Sequence, residues 1–305
     1  MKHNSLFPQV ELLINEPSIT YWIPILSRPI VLNAIRSVLE DERTAWKKTN
    51  IIPAKEYLIK TINNSCSIRQ KKQINRVINA TGVIIHTNLG RAPISKEVWD
   101  NAAPLNTHYA SVEYDLINGK RGTRNSSLNE LLCHLSTCEK GMVVNNNASA
   151  LYMILSHFAK DKEVIVSRSE LVQIGGGFRI PDIMKHSGAH LVEVGTTNIT
   201  TVDDYLDAIT ENTAMVLKVH RSNFVLRGFT KEVGIKELVA HLPPHIMVVS
   251  DQGSGMPVNG YPGETSIAQH IKEGAHLVSF SGDKVLSSVQ SGCVVGKKEA
   301  IDSVL

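Results

Sequence analysis

Lys284 stands in "LVSFSGDKVLSSVQSGCVVGKK", between an apolar run ending at Phe280 and another ending at Gly296. A lysine at the edge of two buried segments is poorly hydrated. Desolvation lowers its pKa and makes the amine nucleophilic, and an imine with an aldehyde removes the buried charge. Ser281, three residues earlier, offers a hydroxyl to an anion, although Ser-x-x-Lys alone is a weak signal. Asp251 closes another apolar run, "IMVVSD". A carboxylate there is costly unless a partner neutralises it. A protonated pyridine nitrogen is one such partner, and capping a helix is the alternative use. "GMVVNNNASA" carries Asn147, Ala148 and Ser149 at a turn into a helix. Small polar residues there leave backbone N–H groups free to hold a phosphate, or serve simply as an N-cap. An anion cup, then an aspartate, then a lysine, in that chain order, are what pyridoxal 5′-phosphate requires.

Such residues must be held at one edge of a sheet. From residue 73 onward, short runs rich in Val, Ile and Leu alternate with helical segments: "GMVVNN", "EVIVSR", "AHLVEVG", "AMVLKVH", "IMVVSD", "AHLVSFS" and "SGCVVGK". Continuous apolar runs mark strands buried on both faces of a mainly parallel sheet, and the alternation predicts an α/β, doubly wound domain over 73–305. Ligands gather at the carboxyl ends of such strands, where all these residues fall. The order of cup, aspartate and lysine is typical of the aspartate-aminotransferase type of fold. "QIGGGF" (173–178) lets backbone approach a ring closely.

Residues 1–72 read differently. "PIVLNAIRSVLEDERTAWKK" and "PAKEYLIKTINNS" are amphipathic helices by apolar spacing, and the polar "NNSCSIRQKKQ" reads as a linker. Residues 1–80 hold 12 Lys+Arg against 6 Asp+Glu (+6), and the remainder 20 against 23 (−3). A basic helical module suits a phosphate backbone or a merely solvated surface. Cys66, Cys133, Cys138 and Cys293 fit neither a disulfide framework nor a zinc site, so reduced thiols in the cytoplasm are expected. No apolar stretch is long enough for a membrane span. The N-terminus, carrying Glu11 and Glu16, lacks a secretory apolar core.

Beyond these readings, "RVINATGVIIHTNLGRAPIS", "SVEYDL", "RGTR", "VVNNNASA", "ENTAMVLKVHRSNF", "DQGSG" and "SFSGDKVL" resemble bacterial selenocysteine synthase, the L-seryl-tRNA(Sec) selenium transferase. The likeness runs from about residue 75 to Leu305, with a fainter one over the helical front, which in that family helps bind tRNA. The resemblance implies a transferase of selenocysteine biosynthesis that turns seryl-tRNA(Sec) into selenocysteinyl-tRNA(Sec). It would use selenophosphate and an aminoacrylate intermediate, in a homo-oligomer built from dimers. It implies that Lys284 forms the internal aldimine and is the base, and that Asp251 faces the pyridine nitrogen. Asn147, Ala148, Ser149 and Ser281 would lie near the phosphate, and Arg91 at the anionic donor site. His220, Ser222 and Asn223 would contact cofactor or substrate, and His86 is either functional or core.

The chain also departs from that family. Ser287-Ser288-Val289 replaces Gly-Gly-Pro, Arg221 replaces a small residue, and Gln252 replaces leucine. Family members continue for roughly another small domain, so a truncated form is expected. A lyase acting on a small amino acid or amino sugar, and a non-catalytic remnant, are the competing readings.

Overall fold

The computed structural model describes residues 6–124, 126–174 and 177–305. The chain divides into two compact units, Met1–Ile78 and Asn79–Leu305. In the first, helices α1 (Val10–Ile14), α2 (Pro17–Thr20) and α3 (Ile23–Leu26) precede α4 (Arg28–Thr49) and α5 (Lys55–Lys71). α4 begins with a proline in its first turn and ends at Asn50, whose φ of 54° gives the left-handed cap. Val31, Ile35 and Leu39 of α4 meet Leu58, Ile62 and Cys66 of α5 in one apolar core. The expected linker is therefore corrected: α5 continues through most of it. Cys66 sits one turn beyond Ile62, fully buried, and extends the apolar stripe that the polar neighbours disguise.

The second unit is built on seven strands: β1 (Lys140–Val144), β2 (Glu163–Ser167), β3 (His190–Val194), β4 (Thr213–Val219), β5 (Met247–Gly253), β6 (Leu277–Ser281) and β7 (Gly292–Gly296). They lie in the order β1-β7-β6-β5-β4-β2-β3. β6 and β7 pair antiparallel, as do β7 and β1, while the other neighbours are parallel. The α/β, mainly parallel expectation therefore holds, with β7 as the reversed strand. The connection 282–291 is too short for a crossover, which needs a dozen or more residues, so the chain must return as a hairpin. That return inserts β7 between β6 and β1 and leaves Lys284 in the turn at the carboxyl end of β6.

Both faces of the sheet are covered, which is why the strands read as unbroken apolar runs. Met215, Leu217 and Val249 point into a core with Leu151, Ile154 and Met184. The alternate residues Val216, Val248 and Val278 pack with Tyr205, Leu238 and Phe280 on the other side. Leu151 and Ile154 belong to α6 (Asn147–Phe158), the helix that follows β1 directly. Among the described residues no helix is long and apolar enough to cross a membrane.

Candidate active site

Asp251 lies within β5 rather than after it. Its Cα pairs with Val219 of β4 and Ser279 of β6, so the strand continues to Gly253. The carboxylate is 3% exposed. Oδ1 accepts hydrogen bonds from Asn147 Nδ2 at 2.8 Å and Ser279 Oγ at 3.2 Å. Among the described residues no hydrogen bond reaches Oδ2, which leaves that oxygen for a further donor. Burial pushes the Asp251 carboxyl above its ordinary range, against the Asn147 bond and the charge of Lys284. Desolvation likewise holds Lys284 below the usual lysine range, against the pull of Asp251. A methyl group placed on Gly253 would stand 3.8 Å from Asp251 Oδ1 and 3.9 Å from Lys284 Nζ. The two side chains therefore approach one another over a glycine that leaves room between them.

At the start of α6, where the anion cup is expected, the two asparagines divide their work in a way the sequence did not reveal. Asn146, not Asn147, is the N-cap: its Oδ1 accepts from Ser149 N–H at 2.8 Å and Ser149 Oγ at 3.1 Å. The Asn147 side chain turns to Asp251, and its buried Oδ1 has no hydrogen-bond partner. The Asn147 and Ala148 amides remain at the open helix end, where first-turn N–H groups have no intrahelical acceptor. Ser281 is 5% exposed and pairs with Gly292, which pairs with Val144 on the far side. One row across three strands thus sets Ser281 level with the approach to α6. Gly292 is obligatory in that row, since a methyl group there would lie on the Asn146 carbonyl and 2.6 Å from Asn147 N.

Arg91 pairs with Asp283, the neighbour of Lys284, through a side-chain hydrogen bond. Its φ of 61° is unusual for a residue with a side chain, and such strain collects at functional sites. Asp283 keeps its second oxygen, Oδ1, buried and unpartnered. A cleft of about 1010 Å³ is lined by Lys284 and Arg91 together with His86, His220, Ser222 and Asn223. Asn223 Nδ2 donates to the Gln173 carbonyl at 2.9 Å, tying the cleft wall to the glycine-rich segment. Gly175 and Gly176 of "QIGGGF" lie outside the described residues. Arg221 also faces the cleft, but Glu232 at 2.6 Å and Ser169 Oγ at 3.3 Å engage its guanidinium.

Two residues escaped sequence reasoning, Asp283 beside the cleft and Glu264 on its wall. Asp283 adjoins Lys284, and that adjacency was the available signal. Glu264 lies in "NGYPGETS", whose composition reads only as a turn.

Ser287, in place of a glycine, adopts φ 52°. Its N–H donates to the Lys284 carbonyl at 3.1 Å, closing the turn that carries the lysine. Ser287→Gly is expected to raise stability by about 0.5–1 kcal/mol, because the left-handed conformation costs a residue with Cβ about 1–2 kcal/mol, less the entropy of glycine. Calorimetric melting measures this, and a lower Tm would contradict the strain.

The residues present fit a phosphorylated pyridine aldehyde. They offer open amides at a helix start, an unbonded oxygen on a buried carboxylate, an orphaned Asn147 Oδ1 and a desolvated amine. The comparisons agree on fold. D-glucosaminate-6-phosphate ammonia-lyase superposes with a TM-score of 0.60 at 20% identity, covering 78% of this chain and 62% of that one. A serine palmitoyltransferase variant from S. paucimobilis, with a bound PLP–myriocin aldimine, gives 0.50 at 17% identity over 69% of this chain and 53% of its own. By sequence, an L-seryl-tRNA(Sec) selenium transferase of Nautilia profundicola is 45% identical over 286 residues, covering 92% of this chain and 64% of that protein. One from Clostridium botulinum (strain Loch Maree / Type A3) is 42% identical over 303 residues, covering 97% and 66%. The chain therefore spans about two thirds of the length of these relatives. The SelA family model, L-seryl-tRNA selenium transferase, matches residues 77–305, the whole stretch that builds the sheet, the cup and the lysine turn. This chain belongs to the L-seryl-tRNA selenium transferase family.

Proposed function

We infer that the chain binds pyridoxal 5′-phosphate and serves the conversion of L-seryl-tRNA(Sec) to L-selenocysteinyl-tRNA(Sec), with selenophosphate as donor. The observation that carries this reading is the buried Asp251, bonded through one oxygen to Asn147, facing a desolvated Lys284 across Gly253. Asn147, Ala148, Ser149 and Ser281 would hold the phosphate, and Asp251 would face the ring nitrogen. The cofactor supplies an electron sink next to the substrate amine. Lys284, whose amine desolvation makes easier to deprotonate, would hold the cofactor through its aldehyde and serve as the base for the Cα proton. The seryl β-hydroxyl leaves and a selenium nucleophile adds at the same carbon. Arg91, aligned by Asp283, holds the anionic donor, while Ser222 and Asn223 offer polar contacts to cofactor or substrate at the cleft wall.

The partners follow the same reading. The basic helical unit gives the tRNA backbone a surface, with 12 Lys+Arg against 6 Asp+Glu over residues 1–80. Ile84, Leu105 and Ile117 are among the exposed apolar side chains of the second unit, which supports assembly of dimers into a homo-oligomer. Free cysteines support a reducing, cytoplasmic setting.

Filter retention of seryl-tRNA(Sec) tests the substrate. Affinity is expected to fall about 10²–10³-fold between 50 and 200 mM salt, as for some five phosphate contacts. Retention that ignores salt, or that treats an unrelated seryl-tRNA equally, would overturn the reading.

A further inference from the structure

β5 carries an irregularity beside the site. Asp251 pairs with Ser279 and Gly253 with Phe280, so Gln252 has no Cα partner on β6. Such bulges re-aim a side chain. Gln252 is 1% exposed, and its amide is fully used. Oε1 accepts from Gly255 N–H at 2.7 Å. Nε2 donates to Ser254 Oγ at 2.7 Å, to the Thr265 carbonyl at 3.2 Å and to Glu264 Oε2 at 3.4 Å. Ser254 Oγ donates to the same Glu264 oxygen at 2.8 Å. Leucine, the residue that the resembling family places at 252, can donate nothing, so this clamp is a property of the present chain.

The other carboxylate oxygen, Glu264 Oε1, lies 3.1 Å from His220 Nε2. The Glu264 side chain is 16% exposed and that of His220 is 22% exposed, and both line the cleft that holds Lys284. Burial raises the Glu264 carboxyl, but bonds from His220 and Ser254 outweigh it and hold the group below its ordinary range. An ionised carboxylate only accepts, so the proton of a neutral His220 must reside on Nε2. Its Nδ1 is then an acceptor with no hydrogen-bond partner among the described residues.

We propose that Glu264, clamped by Gln252 and Ser254, is a positioning residue that fixes His220 as the Nε2–H tautomer, so that Nδ1 receives a proton from the ammonium of the amino substrate. The balance is simple: the ammonium becomes a free amine, and the imidazole becomes an imidazolium whose charge Glu264 neutralises. The amine is then able to attack an electrophilic carbon. This role rests on the proposed function for its substrate, though the tautomer does not.

The test separates the two. Diethyl pyrocarbonate acylates unprotonated imidazole nitrogens, and mass spectrometry reads each histidine of the full chain. Glu264→Ala frees Nε2 and is expected to accelerate labelling of His220 about 5–10-fold, since both ring nitrogens become available in exchanging tautomers. Glu264→Gln keeps an acceptor and should label at the wild-type rate. Gln252→Leu and Ser254→Ala loosen the clamp and should fall between. His270, 8% exposed, reports folding. If it too accelerates in Glu264→Ala, the two clamp variants decide. Unchanged His220 labelling in those variants, or in a folded Glu264→Ala, overturns the proposal. In turnover of seryl-tRNA, Glu264→Ala should lower kcat at least about 10-fold with KM within about 2-fold, and Glu264→Gln, which keeps the acceptor but not the charge, should recover only part of it. Wild-type kcat in Glu264→Ala overturns the proton role. A wild-type chain that labels as expected but turns over no seryl-tRNA defeats the substrate reading instead.

Discussion

Lys284→Ala is expected to abolish fixation of pyridoxal phosphate and to lower turnover by about 10⁴-fold or more, the scale seen when a covalent nucleophile is removed. Borohydride treatment of the wild-type chain incubated with the cofactor should leave a phosphopyridoxyl group on the peptide containing Lys284, and on no other. The loss will not come from unfolding. Lys284 is desolvated, and its folded-state pKa lies below the ordinary lysine value of 10.5. A lysine depressed in this way favours the folded state only above its unfolded pKa, and that benefit disappears as pH falls through the folded value. Near neutral pH, well below the unfolded lysine value, its burial is therefore a cost, and the alanine chain should melt no lower than the wild type. A phosphopyridoxyl group found on another lysine, or retained turnover in the variant, would remove Lys284 from its role.

Asp251→Asn should divide stability from function in the same site. Asparagine matches the carboxylate in shape and can still accept from Asn147 and Ser279. It carries no charge into a fully enclosed position. The folded-state pKa of Asp251 is raised above its ordinary 3.8. A carboxyl raised in this way favours folding fully below the unfolded value, and the benefit is lost as pH rises through the folded one. The variant should therefore gain nothing below about pH 4 and become more stable as pH rises past the raised value, reaching about 1–3 kcal/mol near neutrality. Without a carboxylate opposite the ring nitrogen, turnover should fall about 10³-fold, because the protonated ring is no longer held. Denaturant melts at pH 4 and pH 7, with single-turnover kinetics, check both halves. A variant that is less stable at pH 7 would show that the burial of Asp251 is already compensated.

Much of this could be read before any coordinates. Each of the seven Val/Ile/Leu runs is a strand, because burial on both faces leaves no polar alternation to confuse the pattern. Their spatial order could not be read, since neighbours such as β7 and β1 are fixed by hairpin geometry and crossovers rather than by local composition. The strand-end positions of Lys284 and the Asn147 turn were legible, while Asp251 proves to lie two residues inside β5. The exchange of duties between Asn146 and Asn147 was not, because both asparagines suit a cap and only the approach to Asp251 distinguishes them. Cys66 was misread as linker because single buried residues amid "NNS" and "RQKK" do not move a composition average. Gln252 and Glu264 meet through a one-residue register slip between β5 and β6, which has no sequence signature at all.

The reversed strand β7 has a consequence in time. β1 is an edge strand, and its partner in the sheet is β7, with Lys140 opposite Gly296. On the ribosome, about 150 residues must therefore emerge between the end of β1 and its pairing, a wait of about 10–30 s at ordinary elongation rates. During that interval "GMVV" is an unpaired apolar edge, open to other nascent copies. The proposed anion cup shares this delay, because Gly292 seats the Asn146–Asn147 peptide. Cofactor capture is thus a late event in the life of the chain, and cofactor supplied during synthesis cannot rescue a nascent fragment that stops before Gly292.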